Sequence, residues 1–123
     1  MAQKHIVIVD DETGFRMMLR KILEAAGYRV SEAKNALGVF TLATYDLMLL
    51  DIQMPGIDGY KVLASIKENK STAAPVLILT ALTDPVHKTR ALEAGADGFM
   101  VKPVNKDALL AKIAELLERA PTK

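Results

Sequence analysis

The sequence has no cysteine, no excess of charge of either sign and no long hydrophobic run. Without cysteine the chain can form neither a disulfide framework nor a thiol nucleophile, and a reducing cytosol is the simplest compartment for it. Sixteen basic and fifteen acidic residues leave a formal net charge of +1, which gives no electrostatic reason for nucleic-acid or membrane binding. The apolar stretch at residues 6–9 is too short for a signal peptide or a spanning helix. We therefore expect a soluble, cytoplasmic protein.

The chain has 123 residues, half of them apolar, which is enough for one domain with a buried core. We expect this domain to span residues 1–123, with its core at about 4–119. Short apolar stretches alternate with segments of helical periodicity, which predicts an α/β fold with a parallel sheet covered on both faces. The predicted strands lie at residues 6–9, 29–33, 47–50, 75–80 and 97–101, and the predicted helices at 13–26, 35–43, 59–66, 85–93 and 106–119. We expect a single doubly wound five-stranded parallel sheet in the order 2-1-3-4-5 with five helices.

Polar side chains stand where four of the predicted strands end. Asp10 and Asp11 follow the first strand, Asp51 follows the third, Thr80 ends the fourth and Lys102 follows the fifth. In parallel sheets the ligand site lies outside the carboxyl ends of the strands, and the first and third strands are neighbours in the expected order. The three acids should therefore face one another across the crevice at this edge.

Three carboxylates at such close range repel one another and stay ionised together only with a cation among them. An all-oxygen site with an incomplete protein shell suits Mg²⁺, which keeps several waters and shares its coordination with phosphoryl groups. Lys102 and Thr80 would neutralise and hydrogen-bond the phosphoryl oxygens. The sequence therefore predicts phosphoryl chemistry on a carboxylate nucleophile, with Asp51 at the end of the most apolar run as the candidate.

Four motifs resemble those of a known family, the receiver domain of two-component response regulators. They are Val9-Asp10-Asp11-Glu12, Leu50-Asp51-Ile52-Gln53-Met54-Pro55-Gly56-Ile57-Asp58-Gly59, Thr80-Ala81 and Lys102-Pro103. The resemblance spans essentially residues 4 to 119 and implies a flavodoxin-like fold. It also implies a signalling switch rather than an enzyme with a separate substrate. Such a switch takes a phosphoryl group from a sensor histidine kinase or phosphotransfer protein and catalyses its own phosphorylation and dephosphorylation.

The resemblance implies metal and phosphoacceptor roles for the acids. Asp51 would be the phosphoacceptor, which receives the group from a phosphohistidine. Asp11 and Asp51 would bind Mg²⁺ directly, together with the main-chain carbonyl of Gln53. Asp10 would act mainly through water.

The resemblance also implies which residues meet the phosphoryl group. Lys102 would bind it, with a cis peptide bond before Pro103. Thr80 would swing toward it, and Ala81 is small enough for a donor to approach. Phe99 occupies the position of an aromatic switch, which would turn inward as Thr80 moves, although it lacks the hydroxyl of the tyrosine that is common there.

The surface of the fourth helix, fifth strand and fifth helix would change as a result, and by resemblance it binds a downstream protein or a second copy of the chain. Its expected residues are Val86, Arg90, Phe99, Val101 and Lys106. We expect no direct contact with nucleic acid or membrane. Leu82, two residues after Thr80, is apolar and cannot orient an attacking water, which predicts slow spontaneous dephosphorylation.

Two other functions use the same architecture. A dehalogenase-like phosphatase also has an aspartate nucleophile at a strand end, but it needs a second acid two residues later, where this chain has Gln53. A flavodoxin-like electron carrier needs a phosphate-cradling loop after the first strand, where this chain has Asp10, Asp11 and Glu12. Both functions are therefore disfavoured.

A few further residues receive structural interpretations. Asp58 is expected to cap the third helix. His5 and His87 have no partners at metal-ligand spacing, and we expect both at the solvated surface. Met17 and Met18 are interpreted as packing residues.

Overall fold

The computed structural model describes residues 3–33, 44–55, 57–68 and 74–119. Within these residues, helices separate the first long strand from the second and the third, fourth and fifth long strands from one another, as the apolar patterning predicts. The strands are β1 (His5–Val9), β2 (Arg29–Ala33), β3 (Leu47–Leu50), β4 (Gln53–Met54), β5 (Ile57–Asp58), β6 (Val76–Thr80) and β7 (Gly98–Val101). The helices are α1 (Thr13–Ala25), α2 (Gly59–Glu68), α3 (Pro85–Glu93) and α4 (Lys106–Arg119). The helix predicted at residues 35–43 lies outside the described residues.

Five strands form one parallel sheet in the order β2-β1-β3-β6-β7. This is the predicted order 2-1-3-4-5, because β6 and β7 are the fourth and fifth long strands. The patterning did not predict β4 and β5, which pair as a short antiparallel ribbon between β3 and α2. That ribbon is only two residues long on each side, too short for an alternation of apolar and polar residues to be visible.

Side chains that alternate along each strand enter two separate apolar clusters, one on each face of the sheet. Val7 and Val9 point to the face covered by α2 and α3, whereas Ile6 and Ile8 point to the face covered by α1 and α4. All four side chains are buried. Strands covered on both faces are uniformly apolar, which explains the unbroken hydrophobic runs in the sequence.

The ends of the helices follow the sequence signals. Asp58 Oδ1 accepts a hydrogen bond from the amide of Tyr60 at 3.0 Å, and Asp84 Oδ1 accepts one from the amide of Val86 at the same distance. After α1, Gly27 has a φ of 94°, a left-handed conformation that glycine adopts without the strain other residues incur. None of the helices in the described ranges has the length and apolar character needed to cross a membrane.

Two predictions about side chains in β1 and α1 are wrong. Met17 and Met18 are exposed, because Leu19 and Leu23 form the buried stripe of α1 and the methionines lie beside it. His5 is buried, because β1 begins at this residue and pairs with Arg29 of β2. Its Nε2 lies 2.6 Å from Ser31 Oγ and its Nδ1 lies 2.9 Å from the carbonyl oxygen of Thr44.

Gly59, the first residue of α2, should not tolerate a side chain. A Cβ atom there would lie 2.4 Å from Ile52 Cα and 2.5 Å from the Ile52 carbonyl oxygen, so the main chain next to Asp51 would have to move. We expect Gly59→Ala to lower the free energy of unfolding by about 1–3 kcal/mol in urea denaturation. Gly14→Ala in α1 is the control, because a Cβ there meets no heavy atom within 4 Å. Equal stability changes for the two variants would contradict this prediction.

Candidate functional site

The parallel register of β1 and β3 brings Asp10 and Asp51 to the same edge of the sheet. Val9 pairs with Leu50, so the two acids leave the sheet side by side. Main-chain hydrogen bonds fix both positions: the Asp51 amide donates to the Val9 carbonyl at 3.0 Å, and the Asp10 amide donates to the Ala33 carbonyl at 3.1 Å. The acids are therefore held by the backbone of neighbouring strands of the sheet rather than by a loop.

Asp10, Asp11 and Asp51 form a compact cluster, with one carboxylate oxygen from each lying within 4.8 Å of the others. Asp10 is only 2% exposed and Asp51 only 5%, whereas Asp11 is exposed. One oxygen of each buried acid is held by an amide two residues later, Asp10 Oδ1 by Glu12 and Asp51 Oδ1 by Gln53, both at 2.8 Å. The second oxygen of each buried acid, Oδ2, points to a common partner.

That partner is Lys102, which follows β7. Its Nζ lies 2.8 Å from Asp10 Oδ2 and 3.1 Å from Asp51 Oδ2. Burial disfavours the charged ammonium, but hydrogen bonds and the Coulomb attraction of the two acids outweigh burial and raise the pKa of Lys102 above its ordinary value. The Lys102 amide donates to the Thr80 carbonyl at 2.8 Å, and the bond to Pro103 is cis, as expected from the sequence.

The donor set fits a hard divalent cation. The three carboxylates offer only oxygen, and one ammonium leaves an excess of negative charge in a site where two of the acids are almost fully buried. Divalent cations with oxygen ligands compensate such charge, and an exposed acid such as Asp11 leaves part of the coordination shell open to water or a phosphoryl group. The cluster is thus consistent with a metal site.

The other predicted site residues lie around the cluster. Thr80 is fully buried at the end of β6, and its Oγ1 accepts a hydrogen bond from the Leu82 amide at 3.4 Å. Ala81 is exposed directly after it. Gln53 is also exposed, and its amide is the group that holds Asp51. Phe99 is half-buried in β7, pairs with Ile78 and packs against the cluster under α2 and α3.

Sequence reasoning missed Arg16, which ties α1 to the site. Its guanidinium donates a hydrogen bond to the main-chain carbonyl of Asp10, and its Nε lies 3.0 Å from Glu32 Oε1. Glu32 Oε2 lies 2.6 Å from Nε of Arg20, one turn further along α1. The spacing of these residues in the sequence does not reveal this network, because Glu32 reaches the arginines only when β2 pairs with β1 in the folded sheet.

A second group that the sequence did not reveal joins α2 to α3. The Tyr60 hydroxyl lies 2.6 Å from His87 Nδ1, and the guanidinium carbon of Arg90 lies 3.9 Å from the centroid of the Tyr60 ring. His87 is therefore a partnered residue at a helix interface, and the prediction of a solvated surface histidine is wrong.

The five-stranded parallel sheet, with the acid cluster at its carboxyl edge, has the fold of a CheY-like receiver domain. The family model of the response regulator receiver domain matches residues 6–114. This chain belongs to that family, whose members are phosphorylation-activated switches of two-component signalling and partner with histidine kinases.

Individual relatives agree with this assignment. A probable transcriptional regulator ycf27 of Cyanidium caldarium is 42% identical over 98% of this chain and 49% of its own length. The transcriptional regulatory protein ResD of Bacillus subtilis is 40% identical over 94% of this chain and 48% of its own length. The chain thus spans about half the length of these curated relatives.

Solved structures give the same fold. A CheY-like response regulator receiver domain protein from Methanospirillum hungatei superposes with a TM-score of 0.88 at 32% identity, covering 96% of each chain. The receiver domain of a signal transduction histidine kinase from Syntrophus aciditrophicus has a TM-score of 0.86 at 32% identity, covering 98% of this chain and 94% of that one.

The Arg16–Glu32–Arg20 network predicts a pH-dependent contribution to stability. Hydrogen bonds from Arg20 and then Arg16, opposed by burial, lower the pKa of Glu32 below 4.5. A lowered folded-state pKa stabilises the protein above the unfolded value, and that stabilisation is lost as the pH falls through the folded value. We expect Glu32→Gln to lower the free energy of unfolding by about 0.5–1 kcal/mol near neutral pH. The difference from the unsubstituted protein should shrink as the pH falls below 4.5.

The matched control is Glu24→Gln, which removes the other acidic partner of Arg20 from a more exposed position on α1. Urea unfolding of both variants across the acidic range provides the measurement. A loss for Glu32→Gln that does not change with pH would show that the charge of Glu32 contributes nothing.

Proposed function

We propose that this domain accepts a phosphoryl group on Asp51 from the phosphohistidine of a sensor kinase or phosphotransfer protein, in a reaction that requires Mg²⁺. The supporting observation is the environment of the Asp51 carboxylate. Its Oδ1 is held by an amide and its Oδ2 lies 3.1 Å from Lys102, within a cluster of three acids. This arrangement holds a nucleophilic carboxylate oxygen beside the Lys102 ammonium, which can offset negative charge on the phosphoryl group.

In the transfer step a carboxylate oxygen of Asp51 attacks phosphorus and forms a P–O bond. The P–N bond to the donor imidazole breaks, and its electron pair leaves with the ring nitrogen. If the other ring nitrogen carries a proton, the imidazole leaves neutral; otherwise it takes a proton from water. Lys102 is positioned to offset charge on the phosphoryl oxygens because its ammonium already contacts Asp51. The domain thereby catalyses its own phosphorylation, and later its own dephosphorylation by water.

Residues of the cluster fit the role of Mg²⁺ ligands. Asp11 and Asp51 would bind the ion directly, together with the main-chain carbonyl of Gln53, and Asp10 would act mainly through water. When bound, Mg²⁺ would offset the charge of the acids and of the incoming phosphoryl group. The exposure of Asp11 supports this role, since it leaves one side of the cluster accessible.

The switch would begin at Thr80 and end at the surface of α3, β7 and α4. The hydroxyl of Thr80 would move toward the phosphoryl group beside Ala81, and Phe99 would turn into the space that Thr80 leaves. Thr80 and Phe99 lie on adjacent paired strands, which supports their coupling.

We propose the same surface as the contact site for a downstream protein or a second copy of the chain. On this surface Val86 is 50% exposed and Val101 is 38% exposed, and the charged residues Arg90 and Lys106 are also exposed. An apolar patch with a charged rim is typical of protein interfaces. Residues 1–123 form the receiver in this proposal, with the core at about 4–119, and it acts through proteins rather than through nucleic acid.

Asp51→Asn should abolish phosphorylation. Incubation of the unsubstituted domain with acetyl phosphate and Mg²⁺ should add one phosphoryl mass that hydroxylamine removes, because an acyl phosphate is labile to that nucleophile. The variant should show no gain, since an amide oxygen is a poor nucleophile toward phosphorus. Intact-protein mass spectrometry provides the measurement.

Asp58→Asn is the matched control, because Asp58 follows Asp51 closely but caps α2 and lies outside the acid cluster. It should be phosphorylated like the unsubstituted domain. A phosphoryl gain that persists in Asp51→Asn, or one that does not need a divalent ion, would refute the proposed function.

Leu82→Glu should speed the decay of the phosphorylated domain several-fold. Leu82 is half-buried two residues after Thr80, and an apolar side chain there offers an attacking water no hydrogen bond. A carboxylate would orient that water. Decay after removal of acetyl phosphate would be followed by mass, with Leu82→Met as the apolar control. If Leu82→Glu and Leu82→Met decay at the same rate, Leu82 does not set the lifetime.

A further inference from the structure

We propose that Phe15 is a positioning residue for phosphoryl transfer, because its aromatic face holds the ammonium of Lys102 beside Asp51. The proposal rests on the proposed function and assigns Phe15 a role that none of the motifs predicts. Lys102 Nζ lies 4.1 Å from the centroid of the Phe15 ring, which is within the range of a cation–π interaction.

The ring and the acids surround the ammonium. Within the described residues, Nζ contacts Asp10 and Asp51 through their Oδ2 atoms and the ring of Phe15 through its face. The Lys102 side chain is consequently only 15% exposed. The lysine side chain has four carbons joined by rotatable bonds, so two carboxylates alone leave the ammonium several possible positions. A third partner restricts those positions.

Phe15 is itself held by a rigid part of the fold. It lies in the first turn of α1 and packs against the apolar cluster that contains Leu19 and Leu23 of the same helix. The next residue, Arg16, is bonded to the main chain of Asp10 and to Glu32. The ring is therefore fixed relative to the acids as well as to the lysine.

An aliphatic residue could fill the same apolar space, but it would lack the negative potential of a ring face. The two roles of Phe15, packing and attraction of the ammonium, can thus be separated by chemistry. Fluorination withdraws electron density from the ring face and weakens the attraction to a cation, while the ring keeps its shape.

The decisive experiment replaces Phe15 by mono-, di- and trifluorinated phenylalanine. The second-order rate constant for phosphorylation by acetyl phosphate at saturating Mg²⁺ should fall with each added fluorine. We expect a total fall of about 3- to 30-fold, with the melting temperature nearly unchanged. Phe15→Leu should be as slow as the trifluorinated protein, and Phe15→Tyr should be close to the unsubstituted domain.

Tyr28 offers a matched control for fluorination. It is a partly buried aromatic residue packed on the same cluster as Phe15, next to Arg29 at the opposite end of the sheet. The domain with trifluorinated phenylalanine at this position should be phosphorylated at the same rate as the Tyr28→Phe domain.

A spectroscopic measurement tests the contact independently of phosphorylation. The ε-methylene protons of Lys102 should be shifted upfield by the ring current of Phe15 in the unphosphorylated domain, and Phe15→Leu should abolish that shift. A rate that does not depend on fluorination, or fluorination at position 28 that slows the reaction equally, would overturn the proposal.

The two proposals fail in different ways. If the unsubstituted domain gains no phosphoryl group, the proposed function is wrong and the catalytic role of Phe15 is overturned with it. If phosphorylation proceeds but the Lys102 protons show no ring-current shift, only the role of Phe15 is overturned.

Discussion

The mutual repulsion of Asp10, Asp11 and Asp51 is the constraint on which this structure depends. Two of these acids are nearly excluded from water, where an uncompensated carboxylate is costly. Lys102 compensates part of the charge by contacting both buried acids, and the remaining excess favours a divalent cation. Charge compensation therefore links the ends of β1, β3 and β7, which are distant in sequence, into one site.

The backbone makes this cluster possible. Amides hold one oxygen of each buried acid, and main-chain bonds between neighbouring strands hold the acids themselves. The groups that are expected to move lie on the next strands: Thr80 pairs with Val101, and Ile78 pairs with Phe99. A single strand pairing therefore separates Thr80 from the β7 part of the exposed face.

Much of the fold could be predicted because its signals are local. Unbroken apolar runs, the caps at Asp58 and Asp84, and the stop at Gly27 each act within a few residues. Within the described residues, the structure confirms the elements and the strand order that they predict. The predictions of a packed Met17 and a solvated His5 are wrong for a physical reason. Burial of a single side chain depends on the rotation of a helix and the starting residue of a strand, which apolar patterning defines only to within a residue or two.

The sequence by itself determined which groups stand at the ends of the strands, because a parallel sheet gathers all carboxyl ends at one edge whatever the details of packing. Only the tertiary structure decided which side chains from separate elements contact those groups or one another. Arg16 reaches Asp10, the ring of Phe15 covers Lys102, and His87 meets Tyr60. Each of these contacts needs two elements docked at a particular angle and register. Such docking is set by the packing of the whole core, so no short stretch of sequence encodes it.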